Sequence, residues 1–230
     1  MGAGTVRGLV LPVYLAMDES GSMAPVMAQL NEGLDQLGDE LGHSPMSAAR
    51  LRVTILGFSE DAVVRLHLAD LRSFGRMPTM AARGGTNFEV LFDTLAQLIR
   101  EDIRRLRMQQ FRIHRPLVVL VTDGLPTTGG DWRQAHARLV DKAANSAAPN
   151  IVAFGVGEAD ARSLLEISSG PGFAFTLASG QDVAAGMGAL MSALTNSLVA
   201  SASALNLENP RLVVRSPEGF THVTGIEDVI

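Results

Sequence analysis

The chain has 230 residues, of which 47% are hydrophobic and 19% are charged, so it has the composition of a globular protein and is too apolar for a disordered one. Its formal net charge of −5 argues against a nucleic-acid-binding protein, because neutralising phosphates requires clustered Lys and Arg. The chain contains no cysteine, which excludes disulfides and thiolate metal sites.

The first half of the chain alternates predicted strands with a predicted helix. Residues 9–17 form an apolar run that predicts a buried strand, in which Pro12 limits the early part to a strand start or an irregular segment. Apolar residues at steps of three and four predict a helix over 24–42. Two further strands, over 51–59 and 62–71, are separated by only two residues. This spacing favours a hairpin whose second strand lies antiparallel at a sheet edge.

The second half continues the alternation. Its predicted elements are a helix that begins at Phe88 and ends before Pro116, a strand over 116–124, a helix from Asp131 towards Ala147, a strand over 150–157, a short helix over 160–168, a strand over 173–177, and a long helix that opens with Ser179 and Asp182 in capping-box spacing.

Strands that alternate with helices in this way predict parallel βαβ units. We therefore expect an α/β fold with a doubly wound, mostly parallel central sheet, one antiparallel edge strand and helices on both faces. No repeat or low-complexity linker divides the chain, so we predict one domain over residues 8–203. Residues 204–230 form a C-terminal extension, in which 211–224 predict two short strands around a Pro-Glu-Gly turn, as in a β-hairpin.

The N-terminal residues indicate where the protein works. The sequence MGAGTVRG lacks the long apolar region of a secretory signal, and the apolar run over 9–17 is too short to span a bilayer. We therefore expect a cytoplasmic protein that is not bound to a membrane.

Polar side chains follow two of the predicted strands at the point where each strand ends. Asp18, Ser20 and Ser22 come two residues apart after the first strand, and Asp123 follows the most hydrophobic strand. Because the carboxyl ends of parallel strands meet at one edge of a sheet, these side chains converge if the two strands are neighbours.

A threonine in the loop before the second helix can reach the same edge. Thr86 follows Gly84 and Gly85, which permit a close approach of the backbone, although Thr79 in the same loop competes for this role. The resulting set is two carboxylates and three hydroxyls. Hard oxygen donors of this kind suit Mg²⁺, and Mn²⁺ or Ca²⁺ also fit.

These motifs resemble those of the von Willebrand factor type A (vWA) domain, whose metal-ion-dependent adhesion site reads D-x-S-x-S, then T, then D. The matching positions are Asp18, Ser20, Ser22, Thr86 and Asp123. The resemblance implies a Rossmann-like sheet with Mg²⁺ at its carboxyl edge and an open coordination position that an acidic residue of a protein partner fills. Within the family, the segments LPVYLAMDESGSM and APVMAQLNEGLDQL are similar to bacterial tellurium-resistance TerY-like proteins. That similarity implies a stress-response system with a kinase or phosphatase partner. The motif residues provide oxygen ligands but no nucleophile or general base in an obvious position, so we expect a binding module without enzymatic activity.

Two alternatives remain open. One is a Mg²⁺-dependent phosphohydrolase, since an Asp after the first strand of such a sheet is also the haloacid-dehalogenase arrangement. That chemistry uses a second Asp two residues on, where this chain has Ser20. The other is a regulatory subunit of a chaperone-like AAA+ ATPase, a role in which vWA domains also occur.

Two charged features lie outside the predicted metal site. Glu19 lies between Asp18 and Ser20, and alternation along an extended chain directs its side chain away from the ion. Six arginines are concentrated in residues 100–115. We interpret them as a solvated helix end, with Glu101 pairing with Arg105, rather than as a surface for an acidic partner or nucleic acid.

Overall fold

The computed structural model describes residues 7–73, 75–124, 126–127, 130–170, 172–205 and 212–223. An eight-stranded sheet is the central element of this part of the chain. Its strands are β1 (Arg7–Asp18), β2 (Leu51–Phe58), β3 (Ala62–Ala69), β4 (Phe111–Ile113), β5 (Leu117–Thr122), β6 (Asn150–Gly155), β7 (Ala174–Leu177) and β8 (Phe220–His222).

The strand order confirms the predicted α/β fold. Along the sheet the order is β3-β2-β1-β5-β6-β7-β8, with the short β4 also paired to β1. All pairings are parallel except those of β3 with β2 and of β8 with β7. The predicted antiparallel edge strand is β3, and β8 adds a second one at the opposite edge. The order of the parallel strands reverses between β1 and β5, which is where ligands bind in doubly wound sheets.

Helices cover both faces of the sheet. They are α1 (Met27–His43), α2 (Pro45–Ala48), α3 (Phe88–Met108), α4 (Trp132–Val140), α5 (Ala161–Ile167) and α6 (Val183–Ala204), with short 3₁₀ helices at Gly21–Val26 and Leu71–Ser73. Alternate residues of β1 supply both cores. Val13 and Leu15 pack in the cluster that contains α1 and α6, whereas Tyr14 and Ala16 pack in the cluster that contains α3 and α4. Burial on both faces explains why β1 appears in the sequence as a continuous apolar run.

Helix α6 is long and apolar enough to cross a membrane by length and composition alone. In the structure its apolar residues Met187, Leu190 and Leu194 are buried in the same core cluster as α1. Asp182 caps its first turn, accepting a hydrogen bond from the Ala185 N–H at 2.7 Å. Helix α6 is therefore a core helix of the domain, and its cap is Asp182 rather than Ser179.

Pro12 lies inside β1, where a strand start or an irregular segment was predicted. The N–H of Leu11 bonds to Arg50 on the β2 side of the strand at 2.7 Å, so residue 12 faces the opposite side. On that side β4 pairs with β1 as far as Val10, and β5 begins to pair with it only at Val13. Pro12 occupies the gap between these two ladders, where no N–H is needed.

Helix α4 ends earlier than the sequence predicts. It begins after Asp131, as expected, but it stops at Val140 rather than continuing towards Ala147. The carboxylate of Asp141 accepts hydrogen bonds from the backbone N–H groups of Ala143 and Ala144, at 2.8 and 3.0 Å. This local side-chain bonding competes with the helical ladder and redirects the chain.

The second of the two short strands predicted in the C-terminal extension is present as β8, and it joins the main sheet at β7 instead of pairing within the extension. Phe220–His222 pairs with β7, and within the described residues 212–216 there is no strand. The backbone N–H and carbonyl of Val213 both form hydrogen bonds with the hydroxyl of Ser201, and the N–H of Arg215 donates to the hydroxyl oxygen of Ser197. The segment is thus attached to α6 and to the sheet edge, while the division of the chain at residue 203 stays a prediction.

A buried polar network connects β1, β3 and α3. The hydroxyl of Tyr14 donates to the Asp102 carboxylate at 3.0 Å, and His67 Nε2 lies 2.8 Å from the other oxygen of that carboxylate. Both Tyr14 and Asp102 are buried. Burial, followed by the negative charge of Asp102, raises the pKa of Tyr14 well above its ordinary value, so the phenol stays protonated and donates.

We expect the variant Tyr14→Phe to lower the free energy of unfolding by about 1–2 kcal/mol, because it leaves a buried carboxylate oxygen without its donor. Urea denaturation monitored by circular dichroism measures this loss. His67→Gln serves as the comparison, since the side chain of His67 is 40% exposed and its loss should cost less. A Tyr14→Phe variant as stable as the wild type would contradict this role for the network.

Candidate metal centre

The two predicted acids lie at the ends of neighbouring parallel strands. Asp18 is the last residue of β1, and Asp123 directly follows β5, which pairs with β1 from Val13 to Met17. Because the strand order reverses between these two strands, both acids lie at the crevice of the sheet. The structure therefore brings together residues that are 105 positions apart in the sequence.

Asp18 is fully buried, and hydrogen bonds hold both of its carboxylate oxygens. Oδ1 accepts from the backbone N–H of Ser20 at 2.7 Å, which turns the chain directly after the strand. Oδ2 accepts from the hydroxyl of Thr122 at 2.6 Å. Thr122 was not singled out in the sequence, although it directly precedes Asp123. These contacts orient the Asp18 carboxylate and attach it to the end of β5.

The two serines complete the link to Asp123. The hydroxyls of Ser20 and Ser22 are 3.0 Å apart, and that of Ser22 donates to Asp123 Oδ1 at 2.9 Å. The Ser20 hydroxyl lies 3.5 Å from the same oxygen. Ser20 is buried, whereas Ser22 is exposed, so the set extends from the interior to the surface. Four of the five predicted residues thus form one hydrogen-bonded cluster.

Thr86 reaches this edge through the loop before α3. Gly84 has a φ of +56°, a conformation that favours glycine, and its carbonyl accepts the N–H of Gly21 at 3.0 Å. The backbone of Thr86 exchanges hydrogen bonds with Thr127, whose N–H and hydroxyl both take part at 2.9 Å. The side chain of Asn87 caps α3 by accepting from the Val90 N–H at 3.1 Å. Thr86 is consequently held beside both of the other loops.

Ser22, Thr86 and Asp123 line one groove of about 500 Å³. Its wall also contains three apolar residues, Pro25, Val26 and Val183. Thr127 and Glu158 line it as well, and neither has a sequence signal that would have identified it. Thr79 is not among the described residues that line this groove, so the structure places Thr86 rather than Thr79 beside the two acids.

The site contains two acidic side chains, of which Asp18 is buried and Asp123 is half-buried. Burial raises the pKa of Asp18 to about 6, although the hydrogen bonds from Thr122 and Ser20 lower it. Burial also raises the pKa of Asp123, and the nearby charge of Glu158 adds to that rise. Among the described residues, no Arg, Lys or His nitrogen lies within 4.0 Å of either carboxylate.

The donor set fits a hard divalent cation. It consists of carboxylate and hydroxyl oxygens on three loops, and a cation there would supply the counter-charge that the side chains do not. The described residues contain no group of three or more His, Cys, Asp or Glu that could hold a metal. Any metal binding at this edge therefore depends on the hydroxyls as well as on the two acids.

Glu19, between two of these residues, belongs to a different network. It is fully buried, and its carboxylate accepts hydrogen bonds from Arg65 at 2.8 and 2.9 Å and from Arg83 Nε at 2.8 Å. Its carbonyl accepts the N–H of Arg83 at 2.5 Å. Gly57 makes room for the carboxylate, since a Cβ at that position would clash with it. The guanidinium of Arg83 also contacts Asp61.

The family model of the von Willebrand factor type A domain matches residues 13–186, which is most of the chain. The chain belongs to this family. The matched residues include the five candidate ligands and the parallel strands that carry them. Domains of this family generally mediate protein–protein interactions, and metal-ion-dependent adhesion sites of this type bind divalent metals. No curated protein matches the chain significantly.

Solved vWA structures share the fold at low sequence identity. Proximal thread matrix protein 1 from the mussel byssus, with zinc in its adhesion-site motif, has a TM-score of 0.58 and 13% identity, and the match covers 84% of this chain and 48% of that one. A von Willebrand factor type A protein from Catenulispora acidiphila has a TM-score of 0.55 and 13% identity, with 83% and 43% covered.

A bacterial pilus adhesin is also similar. SpaC from Lactobacillus rhamnosus GG, in its open conformation, has a TM-score of 0.63 and 14% identity, and the match covers 83% of this chain and 30% of the adhesin. The chain thus spans less than half the length of each of these three solved proteins. These likenesses establish the fold of the vWA domain.

Proposed function

We propose that this vWA domain is a metal-dependent protein-binding module. The cation would be held by Asp18, Ser20, Ser22, Thr86 and Asp123. The observation that carries this proposal is the groove lined by Ser22, Thr86 and Asp123, to which the buried Asp18 is linked by hydrogen bonds through Ser20 to Ser22. A bound dication would supply an open coordination position for an acidic side chain of a partner protein.

Mg²⁺ is the cation that we propose. It binds through one or two carboxylates and keeps several other oxygen ligands, which suits a site with two acids and three hydroxyls. Mn²⁺ and Ca²⁺ suit the same donors, and the zinc in the mussel protein supports divalent binding in general. The apolar residues Pro25, Val26 and Val183 in the groove wall would contact the stem of the partner's acidic side chain.

We place the domain in a cytoplasmic bacterial tellurium-resistance or stress-response system, with a kinase or phosphatase of that system as partner. The resemblance of LPVYLAMDESGSM to TerY-like proteins supports this assignment. We propose no enzymatic role, because Ser20 occupies the place of the second Asp of the haloacid-dehalogenase arrangement. Its hydroxyl is bonded to Ser22 and Asp123. The groove lining contributes no His or Lys among the described residues.

Affinity capture from a bacterial lysate tests the metal-bridged mechanism. With the immobilised wild-type domain in Mg²⁺, we expect a specific partner that EDTA removes and that excess Mg²⁺ restores. The double variant Ser22→Ala/Thr86→Ala should lose the partner, because it removes the side-chain oxygens of two of the five candidate ligands. Mass spectrometry then identifies the partner, and an AAA+ ATPase in place of a kinase or phosphatase would favour the regulatory-subunit alternative.

The matched control is Ser73→Ala/Thr79→Ala, which removes two exposed hydroxyls outside the groove. This control should capture the partner as the wild type does, and it tests directly whether Thr79 can take the place of Thr86. Capture that persists in EDTA with folded protein would contradict the proposed function.

A further inference from the structure

The carboxyl-terminal part of α3 presents a basic groove that the proposed function does not use. Arg100, Arg104 and Arg107 are spaced at i, i+4 and i+7, so they lie on one face of the helix. All three are exposed. Together with Ile103, Met108 and residues 145–147 they line a groove of about 500 Å³, which we call the arginine groove.

The charge of the arginine groove is not compensated within the described part of the domain. Among the described residues, no carboxylate lies within 4.0 Å of Arg100, Arg104 or Arg107. Six other arginines do have such partners, namely Arg52, Arg65, Arg72, Arg83, Arg133 and Arg138. Glu101 and Arg105, both described, do not form the expected pair, and Glu101 instead accepts a hydrogen bond from Gln97 at 3.1 Å.

An unusual apolar residue lies beside these charges. The side chain of Met108 is 79% exposed, whereas Ile103 in the same groove is buried. Solvated helix ends do not need an exposed methionine, and flexible Met side chains are frequent on surfaces that bind peptides. The arginine groove therefore offers both cations and an apolar contact.

We propose that the arginine groove binds an extended acidic segment of a partner protein, independently of the metal centre. Four residues of α3 advance by about 6 Å, and two residues of an extended chain advance by about 6.6 Å. Acidic side chains at alternate positions of such a segment would therefore follow Arg100 and Arg104. An apolar residue of the segment would contact Met108.

A short acidic peptide fits these observations better than a nucleic acid does. The chain carries a net charge of −5, which repels a long polyanion over its whole length. A short segment interacts only with the local charge, because the Debye length is about 10 Å at 0.1 M salt. Among the described residues that line the arginine groove, none is aromatic, so a base has nothing on which to stack.

The arginine groove is far from the metal centre. Helix α3 begins two residues after Thr86, and Arg100 and Arg107 lie about 18 and 28 Å further along its axis. One acidic side chain cannot occupy both sites. The domain would thus have two binding sites for acidic segments. Binding at one would require the metal, and binding at the other would weaken as the salt concentration rises. A partner with two acidic segments would gain affinity by occupying both sites.

Fluorescence anisotropy in EDTA and low salt tests this proposal apart from the metal centre. The probe is a labelled 12-residue peptide with Glu at alternate positions and a central Leu. A labelled 12-nucleotide oligothymidine, measured in the same way, represents nucleic acids. We expect the peptide to bind wild-type domain and to dissociate as salt rises. The variant R100E/R104E/R107E should weaken its binding at least about tenfold.

The matched control is R76E/R162E/R215E, which changes the net charge equally at three scattered, exposed arginines. It should weaken binding by no more than about twofold, since only the distant field changes. Glu side chains near the carboxyl end of α3 interact unfavourably with the helix dipole, so the first variant could lose its fold. If circular dichroism shows that it is unfolded, the binding measured with R100Q/R104Q/R107Q decides the result. Equal losses in groove and control variants, tighter binding of oligothymidine, or no peptide binding by the wild type would each overturn the proposal.

Discussion

Asp18→Asn is expected to abolish stabilisation by metal while leaving the metal-free protein at least as stable as the wild type. At a Mg²⁺ concentration near 100 times the Kd, metal binding increases the free energy of unfolding of the wild type by about 2.7 kcal/mol, which raises its Tm by about 5–10 °C. The variant should show no such rise in Tm, because it removes the charge of one of the two candidate carboxylate ligands. Differential scanning calorimetry with Mg²⁺ and with EDTA measures both quantities.

The second half of this expectation follows from the burial of Asp18. Its pKa is about 6 in the folded state, against an ordinary value of 3.8, so the metal-free folded protein binds the proton more tightly than the unfolded chain does. The resulting stability is present below about pH 4 and is lost as pH rises to about 6, at most about 3 kcal/mol. Asn at this position does not titrate. In EDTA, the free energy of unfolding of the variant should therefore increase relative to that of the wild type as the pH rises from about 4 to about 6.

Hydrogen bonding at the site is compatible with the substitution. The amide oxygen of Asn can accept from the Ser20 N–H, and its NH₂ group can donate to the hydroxyl of Thr122. Asp93→Asn is the control, since that acid is exposed and pairs with Arg138 away from the groove. A metal response that survives in Asp18→Asn, or is lost in Asp93→Asn, would contradict the assignment of Asp18.

The candidate ligands could be found from the sequence because each one is marked locally. Asp18 and Asp123 each end a strongly apolar run, and such runs identify buried strands without knowledge of the fold. Parallel topology then places both ends at one edge of the sheet. The remaining condition for their convergence, that the two strands are neighbours, is supplied by the structure, in which β5 pairs with β1. Thr86 is a weaker case, since only the structure separates it from Thr79 through the groove lining.

The remaining features depend on contacts that no local pattern records. β4 has three residues, too short for a periodic signal, and it forms because β1 offers an edge beside it. A short strand was predicted after the Pro-Glu-Gly turn, where β8 lies, but its pairing with β7 is a long-range contact that no local pattern predicts. Helix α4 stops where Asp141 forms its own turn, against a helical pattern that continues in the sequence. The arginines of α3 were interpreted from the sequence as a solvated helix end. Spacing predicted a Glu101–Arg105 pair that these two described side chains do not form, and Glu101 accepts a hydrogen bond from Gln97 instead.

Glu19 shows most clearly what sequence reasoning could not supply. Alternation predicted only that its side chain points away from the metal. In the structure it is bonded to Arg65 on β3 and to Arg83 in the loop that carries Thr86, 46 and 64 residues away. Its backbone carbonyl holds the same loop through the N–H of Arg83. Glu19 therefore connects the D-x-S-x-S loop, the sheet edge and the Thr86 loop through one buried charge.

Glu19→Gln is expected to lower the free energy of unfolding by about 2–4 kcal/mol and to weaken metal binding about tenfold. The amide cannot compensate two guanidiniums, and breaking a buried ion pair from one side costs more than the pair itself contributes. The side chains of Arg65 and Arg83 are 26% and 31% exposed, which keeps the loss below that of fully buried pairs. Metal affinity falls because the Thr86 loop loses an anchor. Urea denaturation and calorimetric titration with Mg²⁺ measure the two effects.

The control variant Asp102→Asn tests whether Glu19 affects metal binding by positioning the ligand loops or only by stabilising the fold. Asp102 is an equally buried carboxylate with two partners, and it lies about 21 Å along α3 from the start of that helix. It should lose a similar amount of stability while its Mg²⁺ affinity stays at the wild-type value. If Glu19→Gln and Asp102→Asn change metal affinity equally, the effect of Glu19 is only on stability. If Glu19→Gln alone weakens it, the buried charge next to Asp18 is what sets the distance between the two ligand loops.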